Sequence, residues 1–534
     1  FLPPIGLITL LRDVERRFGR PNLSAAVQVI FLVVLWAGGQ WTQHLYFRVW
    51  AADEELVFVS DGDMTAAAGF LDRTLAALPA DERPAVYMAS PHYRHPTLAF
   101  LSANYDAIRW LPGSHALVFP AAGPALYLYP ASSPAPDWAI PYLESDGPPE
   151  IVMTGAGREL FRVYRLAAPP ALPAATAPVQ FGGLIALDEI TTAPAASGET
   201  LPVTLRWTVL AAPPVGTALT TFVHLEDAAG HRWSQLEQDA YPAEQWTPGE
   251  VILQRLDLPV PAGTPPGEDG AYRLRLGLFA PDGARLPATD PATGRTTDAV
   301  TTEAVAVRAG PPPEALPRPP FPVSDTAAPG LTFLGYERGG ERAETGEPLG
   351  LALWWAADAP LPFLAVRLSL VDAAGAAHEL LRGQPAYNTY PFHTWTTPAF
   401  VIDRQVARVP DDLPSGDYAL RLELLDARGQ PLYTVALGPL TVTQTERVFT
   451  PPPVANPVGA SFGGEIALLG TNSSAGGRTL ELVWQAETQP AADYTVFVHV
   501  LRPDGTCCAW QADAMPRGGT YPTTRWRPGE VVTD

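Results

Sequence analysis

A tryptophan-centred pattern occurs three times in the chain, and it constrains the fold of the larger part more tightly than any other feature. The first copy reads Leu201–Trp207 (LPVTLRW), Phe222–Leu225 (FVHL), Asp227–Gly230 (DAAG) and Trp246–Glu250 (WTPGE). The third reads Leu480–Trp484 (LELVW), Phe497–Val500 (FVHV), Pro503–Gly505 (PDG) and Trp526–Glu530 (WRPGE). The middle copy is looser, with Leu353–Trp355, Val366–Leu370, Asp372–Gly375 and Trp395–Pro398. The paired tryptophans are 39, 40 and 42 positions apart (Trp207 to Trp246, Trp355 to Trp395, Trp484 to Trp526). Self-similarity of this kind means one structural unit repeated in tandem.

Within each copy, apolar and polar residues alternate with period two, as half-buried antiparallel strands require. Tyr272, Leu274, Leu276 and Leu278 share one face, with Arg273 and Arg275 on the other. Tyr418, Leu420, Leu422 and Leu424 repeat this, with Arg421 and Glu423 outward. A glycine two residues before each tyrosine (Gly270, Gly416) opens both strands, the pattern of the tyrosine corner in immunoglobulin-like sandwiches. Each copy is therefore expected to be an immunoglobulin-like β-sandwich. The corresponding tyrosine strand of the third copy would fall beyond Asp534, so that module is expected to be incomplete.

Leu23–Trp41 (LSAAVQVIFLVVLWAGGQW) is the one long apolar run. About 20 such residues suffice to cross a bilayer's hydrocarbon core. Trp36, Trp41 and Tyr46 gather at its far end, where amphipathic rings favour the headgroup layer. Arg12, Arg16, Arg17 and Arg20 precede it, and positive flanks stay cytoplasmic, so residues 45–534 are expected outside. A buried core helix or a cleaved signal peptide would give a similar run; no small-x-small cleavage site follows it. Residues 1–11 read as the end of another apolar helix, so the chain is expected to begin within a larger polytopic protein.

Residues 45–166 mix helix and strand signals: a helix over Met64–Leu78, a shorter one over Pro96–Asn104, and strands at Ala85–Ala89, Ala116–Phe119, Ala125–Tyr129 and Leu160–Leu166. They predict a small α/β domain with a largely parallel sheet. The expected organisation is thus multidomain. A membrane region covers 1–44, with a helix at 1–11, a cytoplasmic loop at 12–22 and a transmembrane helix at 23–41. It is followed by the α/β domain (45–166), a linker (167–178), sandwich 1 (179–308), a Pro-rich linker (309–330), sandwich 2 (331–444), a linker (445–460) and sandwich 3 (461–534).

His44–Ala51 (HLYFRVWA), just beyond the apolar run, resembles the end of the membrane region in bacterial polyprenyl-phosphate-sugar-dependent glycosyltransferases. These are relatives of protein O-mannosyltransferases, in glycosyltransferase family 39. The likeness continues through Ala68–Leu71 (AGFL), Pro84–Met88 (PAVYM), His95–Leu101 (HPTLAFL) and Leu117–Pro120 (LVFP), covering roughly residues 1–166. It implies a membrane enzyme that transfers sugar on the extracytoplasmic side to a glycan or protein acceptor. In that family the catalytic carboxylate precedes the final span, so no catalytic residue carries over. A non-enzymatic, membrane-anchored surface protein whose modules bind glycans or proteins is the alternative.

A net charge of −21, with every cation an arginine, excludes nucleic acid as a partner. Cys507 and Cys508 are adjacent, which rules out an ordinary disulfide between them. No metal-ligand spacing, P-loop, GxSxG or dinucleotide fingerprint is present, and no cofactor is expected. His92 and His95 lack an evident third ligand. His224 and His499 occupy matching strand positions, where the middle module has Ser369, and are expected on the more exposed face. Asp53-Glu54-Glu55, Asp61-Gly62-Asp63 and Asp411-Asp412 fall at turns or helix starts, where Asp63 suits an N-cap. Asn472-Ser473-Ser474 fits a glycosylation acceptor. Trp246, Trp395 and Trp526 are the candidate glycan contacts, since exposed indoles stack on sugar faces; the competing role is to plug the end of a sandwich core.

Overall fold

The computed structural model describes residues 6, 8–9, 12–13, 15–17, 21–50, 54–173, 178–302, 304–473, 479–504, 510–519 and 521–534. They fall into two compact units: Phe1–Ala193, Thr200–Pro259 and Arg273–Val305 in one, and Pro194–Glu199, Val260–Tyr272 and Ala306–Asp534 in the other. Cys507, Cys508, Arg20, Asp53 and Ser474 lie outside the described residues, as does most of the helix expected over 1–11.

In the first unit, the apolar run forms the helix Pro21–His44, which continues as a wider π-helical turn over Leu45–Trp50. Proline suits its first position, where the missing N–H has no intrahelical acceptor to lose. Ala25–Trp50 is long and apolar enough to span a bilayer, and none of the span is buried. A core helix would be covered by its own domain. This one is not.

The helix Gly62–Ala76 buries Met64, Ala67, Ala68, Leu71 and Leu75 at helical spacing. They pack with Val86, Met88, Trp110, Leu126 and Leu128 from a five-stranded sheet. Its order is Ile108–Pro112, Ala85–Ser90, Ala125–Pro130, Glu159–Leu166, Glu150–Met153. Four of the strands run in one direction and only Glu159–Leu166 runs antiparallel to its two neighbours, so the sheet is mixed by a single reversed strand. Ala116–Phe119 forms a strand but leaves this sheet. All four of its residues are buried, and it completes a seven-stranded sheet instead, alongside Val251–Pro259. That sheet also holds Val179–Phe181, Ile185–Thr192 and Thr200–Val209. In the opposing sheet, Thr220–Asp227 lies between Arg232–Asp239 and the tyrosine strand Gly267–Phe279.

In the second unit, the middle module is a sandwich of two sheets. One is ordered Phe321–Ala328, Leu331–Arg338, Pro348–Ala357, Ala399–Arg408. The other is ordered Arg342–Glu344, Pro431–Thr443, Gly416–Leu425, Ala365–Val371, Ala377–Gly383. Phe333, Trp355, Phe392, Leu420, Leu422 and Leu424 fill the space between them. The third module repeats the first sheet as Asn456–Phe462, Ile466–Ser473, Leu480–Ala486, Val531–Thr533. Opposite it stand two described strands, Val496–Val500 and Trp510–Ala514. The stretches 309–330 and 445–460, expected as linkers, supply strands at their ends. Pro322 and Pro457 sit in outermost strands of their sheets, where a missing amide hydrogen is tolerated.

Both tyrosine strands anchor as the pattern implies. The Tyr272 hydroxyl donates to the Pro265 carbonyl at 2.7 Å, and that of Tyr418 to Pro414 at 2.8 Å.

Candidate functional site

The recurring Trp turn is built the same way three times. A single 3₁₀ turn (Ala243–Gln245, Phe392–Thr394, Thr523–Arg525) delivers the tryptophan into the core. Trp246, Trp395 and Trp526 are 5%, 5% and 1% exposed. Each indole N–H donates to the carbonyl five residues earlier, Tyr241, Tyr390 and Tyr521 respectively. Buried indoles need such a partner, and here the backbone supplies it. The outer surface of the turn, not the indole face, is what an approaching molecule meets.

The glutamate four positions after the tryptophan has a role that the motif alone does not disclose. Glu250 is buried and accepts the Thr247 amide at 2.8 Å, closing its own turn. It also takes the Tyr87 hydroxyl at 3.1 Å and the guanidinium of Arg109, both from the α/β domain. Nearby, the Gln245 side chain accepts the Trp110 amide and donates to the Trp110 carbonyl. Glu530 repeats the arrangement in the second unit. It accepts the Arg527 amide at 2.9 Å, the Tyr521 hydroxyl at 2.7 Å and Arg447 Nη1 at 2.6 Å. Arg447 lies in the segment between modules 2 and 3 and also reaches Asp411 of module 2 at 2.8 Å. Arg525 extends the same contact, donating to Glu344 at 3.0 Å. The middle module has Ala399 at this position and makes no such ion pair there.

The strand after each turn is capped in a common way. Leu253 and Ile252 pair with Leu117 and Val118 of the α/β domain. In module 2, the Ile402 amide donates to the Gly263 carbonyl at 2.8 Å. A side chain at Gly263 would collide with Phe400 and Ile402, so glycine permits this approach. In module 3, the Val531 amide donates to Val448 at 2.7 Å. An uncovered sheet edge invites wrong pairing, and here a preceding segment covers the same edge each time.

The other candidates sit apart. His95 is buried, and its ring accepts the Thr97 amide at the start of the helix Pro96–Leu101; His92 lies 5.8 Å away, ring to ring. No group of three potential metal ligands occurs among the described residues. His224 is buried, not on an exposed face, with Glu226 at 3.5 Å and Arg232 at 3.4 Å. Burial, and then the Arg232 charge, push its pKa down. His499 is exposed. Asp63 does not cap its helix: it is buried, and its carboxylate accepts the Ser132 amide at 2.9 Å. Asp61 holds the cap position in left-handed backbone and accepts the Thr97 hydroxyl instead. Asp411 is committed to Arg447 and Arg527. The Asn472 amide nitrogen donates to Glu481 at 2.7 Å.

Sequence reasoning missed the arginine partners of Glu250 and Glu530, and also Asp403. Asp403 is fully buried and carries one oxygen with no hydrogen-bond partner. No spacing signal marks it.

No sequence-family model and no curated protein matches the chain, so the glycosyltransferase resemblance gains nothing from either. Among solved structures, red sea bream transglutaminase matches at 12% identity, covering 50% of this chain and 31% of that one. The TM-score is 0.14, too remote a likeness to carry fold or function.

Proposed function

We propose that this chain is the membrane-anchored, extracytoplasmic and non-catalytic portion of a glycosyltransferase that uses a polyprenyl-phosphate sugar donor. The observation that carries this reading is the span Ala25–Trp50, with no buried residue, leading within a few residues into the α/β domain. An apolar helix that its own protein leaves uncovered needs a bilayer. The arginines before it set the outward orientation. On this reading the catalytic carboxylate lies outside residues 1–534, and the sandwiches act as spacers or hold a glycan or protein acceptor. The α/β domain and sandwich 1 then act together, because they share a sheet and the Arg109–Glu250 contact.

The test is a sugar-transfer assay on the full-length membrane enzyme with and without residues 45–166, combined with surface biotinylation of intact cells. Loss of transfer on deletion, with the sandwiches labelled from outside, is expected. Undiminished transfer, or sandwiches shielded in the cytosol, overturns the reading.

A second reading is a non-enzymatic surface protein that binds through its sandwiches, and it rests on the repeated strand-rich modules that make up most of the chain. Absence of transfer by the full-length protein, together with retention on a glycan array, would select it.

A further inference from the structure

The helix Pro96–Leu101 turns an apolar face to water. Leu98 is its buried residue, and Pro96, Ala99, Phe100 and Leu101 are exposed. A surface helix ordinarily turns charged and polar residues outward. Here Phe100 is 89% exposed and Leu101 45%. Val59, at the end of the helix Glu54–Val59, is 80% exposed. The Thr97 hydroxyl donates to Asp61 Oδ2 at 2.7 Å, which brings the two helices together.

The patch is pinned at both ends. Ahead of the helix, the His95 ring accepts the Thr97 amide. Behind it, the Asp72 carboxylate takes the Ser102 hydroxyl and the Asn104 side-chain amide at 2.8 Å each, and the Ala103 amide at 3.1 Å. Phe100 is therefore presented on a fixed support and not on a loose loop. The patch is also close to the apolar span along the chain. The four peptide steps from Trp50 to Glu54 reach at most about 14 Å, and the helix Glu54–Val59 adds about 8 Å. Val59 thus lies within about 22 Å of the end of Ala25–Trp50.

We infer that Val59, Phe100 and Leu101 form a docking patch for the lipid bilayer, which seats the α/β domain on the headgroup layer beside its own span. This rests on the membrane reading above and adds a second, shallow contact to it. Apolar faces of interfacial helices enter about 5–10 Å, as far as the boundary between headgroups and acyl chains. The lipid that suits the patch is zwitterionic. Residues 54–61 and 96–107 hold no arginine or lysine, whereas Glu54, Glu55, Asp61 and Asp106 are acidic, so anionic headgroups repel this surface. A domain seated in this way stays at the height of the headgroups instead of tumbling at the end of a tether.

The full chain in phosphatidylcholine nanodiscs tests this, with bimane on a single cysteine, Ala99→Cys, in a Cys507→Ser, Cys508→Ser background. Ala99 is exposed and its labelling leaves Val59, Phe100 and Leu101 in place. Quenching by lipid carrying a nitroxide at headgroup level is expected. Adding Phe100→Glu and Leu101→Glu should reduce it at least about fivefold, because carboxylates resist leaving water. Phe100→Leu, which stays apolar, should keep it. Replacing part of the phosphatidylcholine by anionic phosphatidylglycerol should lower it. A label at Val33→Cys separates this inference from the reading beneath it. Quenching of Val33→Cys from the bilayer centre, with none at Ala99→Cys, would overturn the docking patch and leave the span in place; a patch made for another protein gives that result. No quenching at either position would overturn both. Undiminished quenching in the glutamate variant would overturn the patch alone.

Discussion

Asp403 has the clearest consequence at the scale of a single residue. Its Oδ1 accepts the Ala386 amide and the Gln405 side-chain amide, both at 2.8 Å, while Oδ2 is buried without a partner. Burial pushes its pKa up to about 7 from the ordinary 3.8. Between those values the folded chain holds a proton that the unfolded chain has released, so the folded state is favoured by acid. The contribution is fully present below pH 3.8 and is lost as pH rises through about 7. Asp403→Asn should therefore raise the urea midpoint of module 2 at pH 8 and have little effect at pH 4. Parallel pH–stability curves for the two proteins would refute it. The Arg447–Glu530 pair predicts a different pattern. Arg447→Met leaves Glu530 buried with no cation and is expected to cost about 3–5 kcal/mol. Adding Glu530→Gln should recover part of that loss, as a double-mutant cycle in urea would show. The sequence made the repeating Trp-x-Pro-Gly-Glu turn plain, because local spacing encodes it. It could not reveal Arg109 or Arg447, since an ion pair between distant segments leaves no periodicity in either. Asp403 was illegible for a related reason: in sequence, a buried carboxyl looks like a surface one.

At the scale of elements, the strands were largely visible and their partners were not. Ala116–Phe119 announces itself as a strand by its apolar run, yet nothing within it says which sheet it joins. It lies along Val251–Pro259, with four consecutive pairings. The same holds for 309–330, where a proline-rich composition hides the edge strand Phe321–Ala328. The paired edge makes the α/β domain and sandwich 1 mutually dependent. Leu117 is fully buried opposite Leu253, so Leu117→Ala is expected to cost about 2–5 kcal/mol. Hydrogen exchange should then quicken across Val251–Pro259 as well as within Ala116–Phe119. Acceleration confined to the α/β domain would mean that the shared edge carries no stability.

For the whole molecule, the proposed membrane attachment rests on one element, the apolar helix. The chain carries a net charge of −21, so electrostatics repel its soluble parts from anionic headgroups instead of holding them there. On the proposed reading, attachment comes from hydrophobic transfer of Ala25–Trp50, which carries no acidic residue and has Arg48 as its one strong cation, near its end. Two outcomes follow for the full chain expressed in cells. High-salt washing, which screens surface charge, should leave the protein with the membrane, and nonionic detergent should release it. A charge at mid-span should act where salt does not: Val33→Asp costs about 2.5–3.5 kcal/mol of insertion free energy. That variant is expected to shift toward the soluble fraction. The melting of the sandwiches should stay unchanged, because Val33 touches no folded core. Release by salt, or a fall in sandwich stability in Val33→Asp, would show that the helix serves the protein's own packing and not the bilayer.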